Sequence, residues 1–331
     1  MTIKKVLTLR ASSIGDALMG KYFLENVHAA FPEARCFMLV GSRGAMIHDV
    51  LLGYPWLSVV EANRKNPSSL ISAWRALSGS DIALTQPAEN PFSFPSKVFA
   101  RLVAKKLIGF NDTSVWNFMY DTVVPFFGEA HSRGMIVEEQ NALRASGVPM
   151  GVSELSLSYV DDPSVVSKFR LSGKYVAAHL FSGNEGRSIS QRKRVEIVRA
   201  LRSAIPHTLV LTGGTADVVR AAETSGGLPN VLNLAGKTSM QEFINLIARA
   251  RGVVSLDTGG AHIAAHLKKP LVVLTRKEAR EAWWGTSMYG GRPVVLCNER
   301  ADDDAPRTEP YPPSLETIDS SSILDKVSKF V

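Results

Sequence analysis

Short apolar runs alternate along the chain with longer segments whose apolar residues recur every three to four positions. Residues 6–9, 37–40, 57–60 and 82–84 read as buried strands, and 17–30, 45–52, 70–77, 97–104 and 132–146 as helices. Residues 87–95 hold Pro87, Pro91 and Pro95 and read as a loop. From 151 to 172 no strong period survives. The alternation then restarts, with strands at 175–179, 208–211, 231–234, 253–256 and 271–274 and helices at 192–203, 215–225, 240–250 and 261–267. Two such runs predict an α/β fold of two Rossmann-like parallel sheets facing across a cleft. The expected division is a domain over 1–150, a linker over 151–172 and a domain over 173–331. The C-terminal helix is expected to pack back on the first domain.

Composition narrows the class. The chain has 331 residues, 45% hydrophobic and 21% charged, which is ordinary globular usage. Two cysteines, Cys36 and Cys297, cannot build a disulfide framework. No segment approaches the roughly 18 uninterrupted apolar residues of a spanning helix. The apolar stretch 6–9 stops at Arg10, too short for a signal peptide. A cytoplasmic protein is the expectation. The net charge of +7 concerns partners rather than fold. It suits an acidic ligand and a peripheral contact with an anionic inner membrane. Its basic residues are dispersed, so nucleic acid is not an expected partner.

In parallel α/β sheets ligands gather at the carboxyl ends of the strands. That singles out a few loops. Ser12-Ser13-Ile14-Gly15-Asp16 joins the first strand to the first helix; its polar residues could cap the helix or meet a ligand. The loop from His179 to Arg187 carries Ser182 and a cation suited to phosphate. Thr212-Gly213-Gly214-Thr215 allows close backbone approach, and Gly236-Lys237-Thr238-Ser239 precedes a helix that Ser239 alone could cap. Asp257-Thr258-Gly259-Gly260-Ala261-His262 opens another helix with amides suited to a diphosphate. Asp257 could instead be an N-cap, and His262 with His266 a core pair. That pair lacks a third ligand, so no metal is expected. Asp302-Asp303-Asp304 lies in a proline-rich stretch and reads as a solvated charge run. Dinucleotide and Walker-type glycine loops are missing.

Taken together, Leu9-Arg10-Ala11-Ser12-Ser13-Ile14-Gly15-Asp16, Leu211-Thr212-Gly213-Gly214, Leu234-Ala235-Gly236-Lys237-Thr238-Ser239 and Ser255-Leu256-Asp257-Thr258-Gly259-Gly260-Ala261-His262 carry a resemblance. In this order and spacing they resemble the ADP-heptose:lipopolysaccharide heptosyltransferase family, glycosyltransferase family nine, of GT-B fold. The resemblance implies an inverting, metal-independent transfer of a sugar from a nucleotide-diphosphate donor, ADP-heptose in the family, to a cell-envelope saccharide or glycolipid. The first domain would bind this acceptor and the second the donor. No cofactor beyond that donor is implied. Asp16 matches the proposed general base. Asp257, Thr258, Gly259 and Gly260 match the segment that meets the diphosphate and donor sugar, with His262 beside it. Gly213, Gly214 and Thr238 match positions that line the nucleoside. Where the family has a lysine before a Trp-Pro-like helix start, this chain has Gly186-Arg187-Ser188-Ile189-Ser190, so Arg187 would be the phosphate cation. After Pro270 the family's Gly-Pro-Thr loop is replaced by Leu274-Thr275-Arg276-Lys277-Glu278-Ala279-Arg280. Two alternatives stay open on the same scaffold: a nucleotide-sugar epimerase or hydrolase, and a non-catalytic nucleotide-sugar-binding protein.

Overall fold

The computed structural model describes residues 2–10, 13–42, 44–63, 65–87, 93–112, 114–125, 134–171, 173–276, 279–290, 293–296 and 311–330. Ser12 and the Asp302-Asp303-Asp304 run lie outside them. The chain divides into two compact units, Met1–Ser158 and Tyr159–Val331.

The first unit contains β1 (Lys5–Leu9), α1 (Ile14–Ala30), β2 (Arg35–Val40), α2 (Gly44–Leu51), β3 (Leu57–Glu61), α3 (Pro67–Leu77), β4 (Ser80–Leu84), α4 (Phe94–Val103), β5 (Ala104–Phe110), β6 (Thr122–Val124) and α5 (Met135–Ser146). A 3₁₀ helix, Val115–Met119, joins β5 to β6. The sheet order is β3-β2-β1-β4-β5-β6, all parallel, with Val6 opposite both Cys36 and Ile82. Helices cover the faces of such a sheet, so its strands read as unbroken apolar runs rather than alternating ones. Leu7, Leu39, Ala83 and Leu107 meet Ala73, Leu77, Ala100 and Val103 in one buried cluster.

The second unit repeats this plan. It contains α6 (Ser164–Lys168), β7 (Tyr175–His179), α7 (Gln191–Ala204), β8 (Thr208–Leu211), α8 (Val218–Ser225), β9 (Val231–Asn233), α9 (Met240–Arg249), β10 (Gly252–Leu256), α10 (Gly259–His266), β11 (Leu271–Leu274), β12 (Pro293–Leu296), α11 (Pro313–Glu316) and α12 (Ser320–Val327). Its order, β12-β11-β10-β7-β8-β9, is the same Rossmann winding as in the first sheet. α12, expected to turn back on the first domain, buries Ile323 and Val327 in the second unit's own core.

Several elements escaped the pattern. β5 begins beside Lys105-Lys106 and contains Gly109, where a Cβ would collide with the Tyr120 ring. That close approach explains a glycine inside a strand. β12 starts at a proline, which an edge strand tolerates. α4 opens inside the expected 87–95 loop because Pro95 sits in its first turn, where no N–H is needed.

Residues 151–162 hold no strand or helix, and side chains hold their backbone. Asn26 Oδ1 accepts from Gly151 N at 2.7 Å and Val152 N at 3.0 Å. The Tyr54 hydroxyl donates to Ser156 O and accepts from Ser158 N. Asn245 accepts from Asp162 N and donates to Val160 O. Among the described residues no helix is long and apolar enough to cross a membrane.

Candidate functional site

In the first unit the polar groups gather where β1 hands over to α1. Ser13, in extended conformation, is the N-cap; its Oγ accepts from Asp16 N at 3.1 Å and donates to Asp16 Oδ2 at 2.6 Å. Ser13 therefore caps the helix and orients the Asp16 carboxylate with the same atom. Asp16 is half-buried, and Gly15 is buried beside it.

Directly behind this turn stands an ion pair that sequence reasoning did not single out. Arg10 Nη1 and Nη2 donate to the two oxygens of Glu139 at 2.7 and 2.9 Å, and both side chains are 1% exposed. Burial pushes the Glu139 carboxyl above its ordinary range, the Arg10 guanidinium offsets this, and the Asp16 charge adds to the rise. The pair and Asp16 thus share one electrostatic environment. Arg10 stood inside a quoted motif, but its partner lies 129 residues away.

In the second unit the carboxyl ends of β7, β8 and β10 carry the candidate groups. His179 closes β7. Thr212 Oγ1 donates to Ala178 O, so the same oxygen accepts from His179 Nδ1–H at 3.0 Å, and Nε2 is left as an acceptor. Burial holds the pKa of this imidazole down to about 4, with Asp217 and the Thr212 contact opposing, so the ring is neutral near pH 7. Ser182 Oγ accepts from Asn184 N. Arg187 ends the 3₁₀ turn Glu185–Arg187 half-buried, and its guanidinium has no protein partner among the described residues. Arg220 is paired with Asp217, and Lys193 with Glu196.

Gly214 N donates to Asp217 Oδ2 at 2.9 Å, and Gly236 N to Gly213 O at 2.9 Å, which draws the two glycine turns together near half-buried Thr238. Ser239 caps α9 in a reciprocal box with Glu242.

Thr258 is the N-cap residue of α10, yet its side chain makes no cap bond to the first turn at Gly259-Gly260. Thr258 Oγ1 instead points back to Leu256 O at 3.4 Å. Asp257 does not cap the helix. It is 3% exposed, and its oxygens accept from Thr275 Oγ1 at 3.1 Å and Trp284 Nε1 at 3.2 Å. Trp284 belongs to a π-helical turn, Arg280–Trp284. His262, 4% exposed, stacks on Trp284 at 4.8 Å and lies 3.8 Å from Asp257. Tyr289 closes the layer against His262 and Trp284; burial, then the Asp257 charge, pushes its hydroxyl pKa up. His262 and His266 are therefore buried, with His266 Nδ1 2.8 Å from His262 O. Sequence reasoning gave Thr275 only as part of the segment after Pro270 and missed Trp284 and Tyr289, for which the adjacent Trp283-Trp284 pair was a local signal. Among the described residues no three His, Cys, Asp or Glu side chains converge as metal ligands.

Comparison with known proteins bears on this arrangement. A 73-residue stretch is 38% identical to the lipooligosaccharide heptosyltransferase 2 of Haemophilus influenzae, covering 20% of this chain and 21% of that protein. The chain thus matches about a fifth of that relative's length. The structure of E. coli ADP-heptose lps heptosyltransferase II superposes with a TM-score of 0.73 over 98% of each chain at 19% identity. The family 9 glycosyl transferase of Veillonella parvula gives 0.78 over 100% of this chain and 98% of that one, at 14% identity. These two likenesses concern the fold. The family model for glycosyltransferase family 9 (heptosyltransferase) matches residues 92–305, well over half of the sequence. An epimerase or hydrolase is accordingly not favoured, and the chain belongs to glycosyltransferase family 9, the heptosyltransferase family.

Proposed function

We propose that the protein transfers a heptosyl group from ADP-heptose to a saccharide of the lipopolysaccharide core, with inversion in a single displacement. The acceptor oxygen bonds to the anomeric carbon, the bond from that carbon to the diphosphate oxygen breaks, and its electron pair leaves with ADP. Asp16 takes the hydroxyl proton, which becomes acidic only as the new bond forms.

Charge growing on the leaving diphosphate is met by the first-turn amides of α10 and by Arg187. The observation that carries this reading is the start of α10. α1, α7 and α9 each begin under a serine cap (Ser13, Ser190 and Ser239); α10, like α4, α5 and α8, has no side-chain cap bond, and of these four only α10 opens on two glycines, Gly259-Gly260. Uncapped amides are unsatisfied donors, and an anion satisfies them.

In this reading Thr258, Gly259 and Gly260 hold the diphosphate. Gly213, Gly214 and Thr238 line the nucleoside. Ser182 contacts the donor, and the His179 Nε2 acceptor receives one of its hydroxyls. Asp257 and His262 act from beneath, holding Trp284 and the start of α10 in place. No cofactor beyond the donor enters. The +7 charge suits peripheral contact with an anionic membrane face that displays a glycolipid acceptor.

The test is incubation with ADP-heptose, with and without a heptose-deficient core saccharide, followed by product analysis. Transfer with inverted configuration is expected. Asp16→Asn should lower kcat at least about a hundredfold while leaving ADP affinity unchanged. Donor turnover without acceptor, or ADP binding without turnover, overturns the transferase reading.

A further inference from the structure

Four arginines of the chain are paired with carboxylates: Arg10 with Glu139, Arg101 with Asp121, Arg220 with Asp217 and Arg249 with Asp161. Arg276 is not. It stands half-buried just after β11, in the stretch Leu274–Arg280 where this chain departs from its family's pattern. Its Nε is buried without an acceptor, and among the described residues its guanidinium makes no hydrogen bond or ion pair. Arg194 also has buried nitrogens without partners, but it is 1% exposed and sealed against the Phe181 ring. Arg276 keeps part of its side chain in water, where a ligand can reach it. A buried donor without an acceptor calls for a group that completes it.

The sheet fixes where this charge stands. Leu274, the last residue of β11, lies opposite Leu256, the last of β10, about 4.8 Å away. Arg276 and Thr258, each two residues further on, therefore leave the sheet side by side. Asp257 N donates to Leu274 O at 3.1 Å, and Thr275 Oγ1 to Asp257 Oδ2 at 3.1 Å. On the far side, Arg276 O accepts from Arg280 N at 3.2 Å, where the chain turns toward Trp284, the other partner of Asp257. The backbone at Arg276 is thus tied on both sides to the residue that supports the start of α10. Both Asp257 oxygens already accept hydrogen bonds, so this carboxylate does not serve Arg276.

β10 has a second neighbour. β7 lies on its other flank, with His179 opposite Ser255, and the loop after β7 carries Arg187. Two arginines without protein partners among the described residues therefore rise from the strands on either side of Gly259-Gly260. A planar guanidinium matches a phosphate through two parallel hydrogen bonds, and glycine amides at a helix start match it from below. A diphosphate offers enough oxygens for all three.

We propose that Arg276 is a second catalytic cation on the donor diphosphate, bracketing it with Arg187 above the first turn of α10. The role rests on the transfer reading above. As the bond from the anomeric carbon to the diphosphate oxygen breaks, the electron pair stays on that oxygen and the diphosphate gains one negative charge. A guanidinium already in place favours the leaving group more than the bound donor, so it raises kcat as well as affinity.

The test titrates ADP and AMP into wild type, Arg276→Gln and Arg276→Lys, and measures transfer from ADP-heptose to the core saccharide. Arg276→Gln should lower ADP affinity at least about tenfold and AMP affinity less than about twofold. Its kcat should fall at least about a hundredfold. Arg276→Lys should recover part of both losses, and all three proteins should unfold at the same urea midpoint, since the guanidinium bonds no protein group. Unchanged ADP affinity in Arg276→Gln overturns the proposal, even if transfer falls. So does an equal loss for ADP and AMP, a lysine variant as poor as the glutamine one, or a lowered urea midpoint, which would make Arg276 a support of the fold. A selective loss of ADP affinity in a protein whose wild type transfers nothing upholds the cation and overturns the transferase reading.

Discussion

The imidazole of His179 packs so closely on the backbone of Gly260 that a Cβ at residue 260 would come within 2.7 Å of His179 Cδ2. The end of β7 and the start of α10 are therefore a matched pair: a ring on one side requires a bare Cα on the other. Gly260→Ala must push either the imidazole or the first helical turn aside. Its expected effect is a loss of ADP affinity of at least about tenfold, the size produced by losing one or two charge-assisted amide contacts. His179→Ala in the same chain removes the obstacle, so the double variant should recover part of that loss. Isothermal titration of ADP into the four proteins measures the coupling.

The same imidazole makes stability depend on pH. Its pKa of about 4 in the fold lies below the ordinary 6.5, so between these values the unfolded chain binds a proton that the folded chain refuses. Stability is full above 6.5 and is lost as pH falls toward 4. From pH 7 to pH 5 His179 should account for about 2 kcal/mol of the decline. His179→Asn carries no such proton, so its urea-unfolding free energy should fall by correspondingly less over that interval. Identical slopes for both proteins would contradict a neutral His179.

Asp257 is saturated by Thr275 and Trp284 within the second unit. Asp257→Asn has one carbonyl oxygen where two carboxylate oxygens accepted, and its amide group faces a donor. One buried donor loses its acceptor, at a cost of about 1–3 kcal/mol in stability. The start of α10 loses its support as well, so ADP affinity should drop without any loss of direct contact. Trp284→Phe removes only one of the two bonds and should cost less on both measures. Equal affinity for ADP in Asp257→Asn and wild type would show that the support is not needed.

The alternation of elements made the parallel sheets legible because strands buried on both faces leave continuous apolar runs, as in Leu271–Leu274. Where a strand pays another constraint the run breaks. Gly109 yields its place to Tyr120, and β12 begins at Pro293 on an open edge. Candidate loops were legible too, since they follow strands. What each polar residue does there was not, because its partners are distant in sequence. Ser13 and Asp257 both stand before a helix, yet one caps it and the other is bound to residues 18 and 27 positions on. Glu139 reads as one more helical carboxylate until Arg10 is seen against it.

That Arg10–Glu139 pair makes a sharp prediction about the first unit. Both charges are out of water and each satisfies the other bidentately. Removing one partner leaves the other buried and uncompensated, so Glu139→Gln should destabilise the protein by about 3–5 kcal/mol in urea unfolding. Replacing both, as in Arg10→Met with Glu139→Leu, should return most of that stability because no charge then remains. Transfer should still be impaired in the double variant, since the turn that holds Asp16 has lost its support. A double variant with full activity would confine the pair to a structural role.

Two serines separate capping from catalysis. Ser13 and Ser239 each accept an amide hydrogen bond at the start of a long helix, at 3.1 and 3.2 Å. Each serine to alanine change should therefore cost about 1 kcal/mol of stability. Only Ser13 also donates to a carboxylate proposed as the base, at 2.6 Å. Its removal withdraws that hydrogen bond and frees the Asp16 carboxylate to rotate. Ser13→Ala should lower kcat several-fold, with ADP affinity unchanged. Ser239→Ala should lose the same stability and leave kcat alone. If both variants lose activity in proportion to stability, Ser13 is only a cap and the Asp16 assignment loses its geometric support.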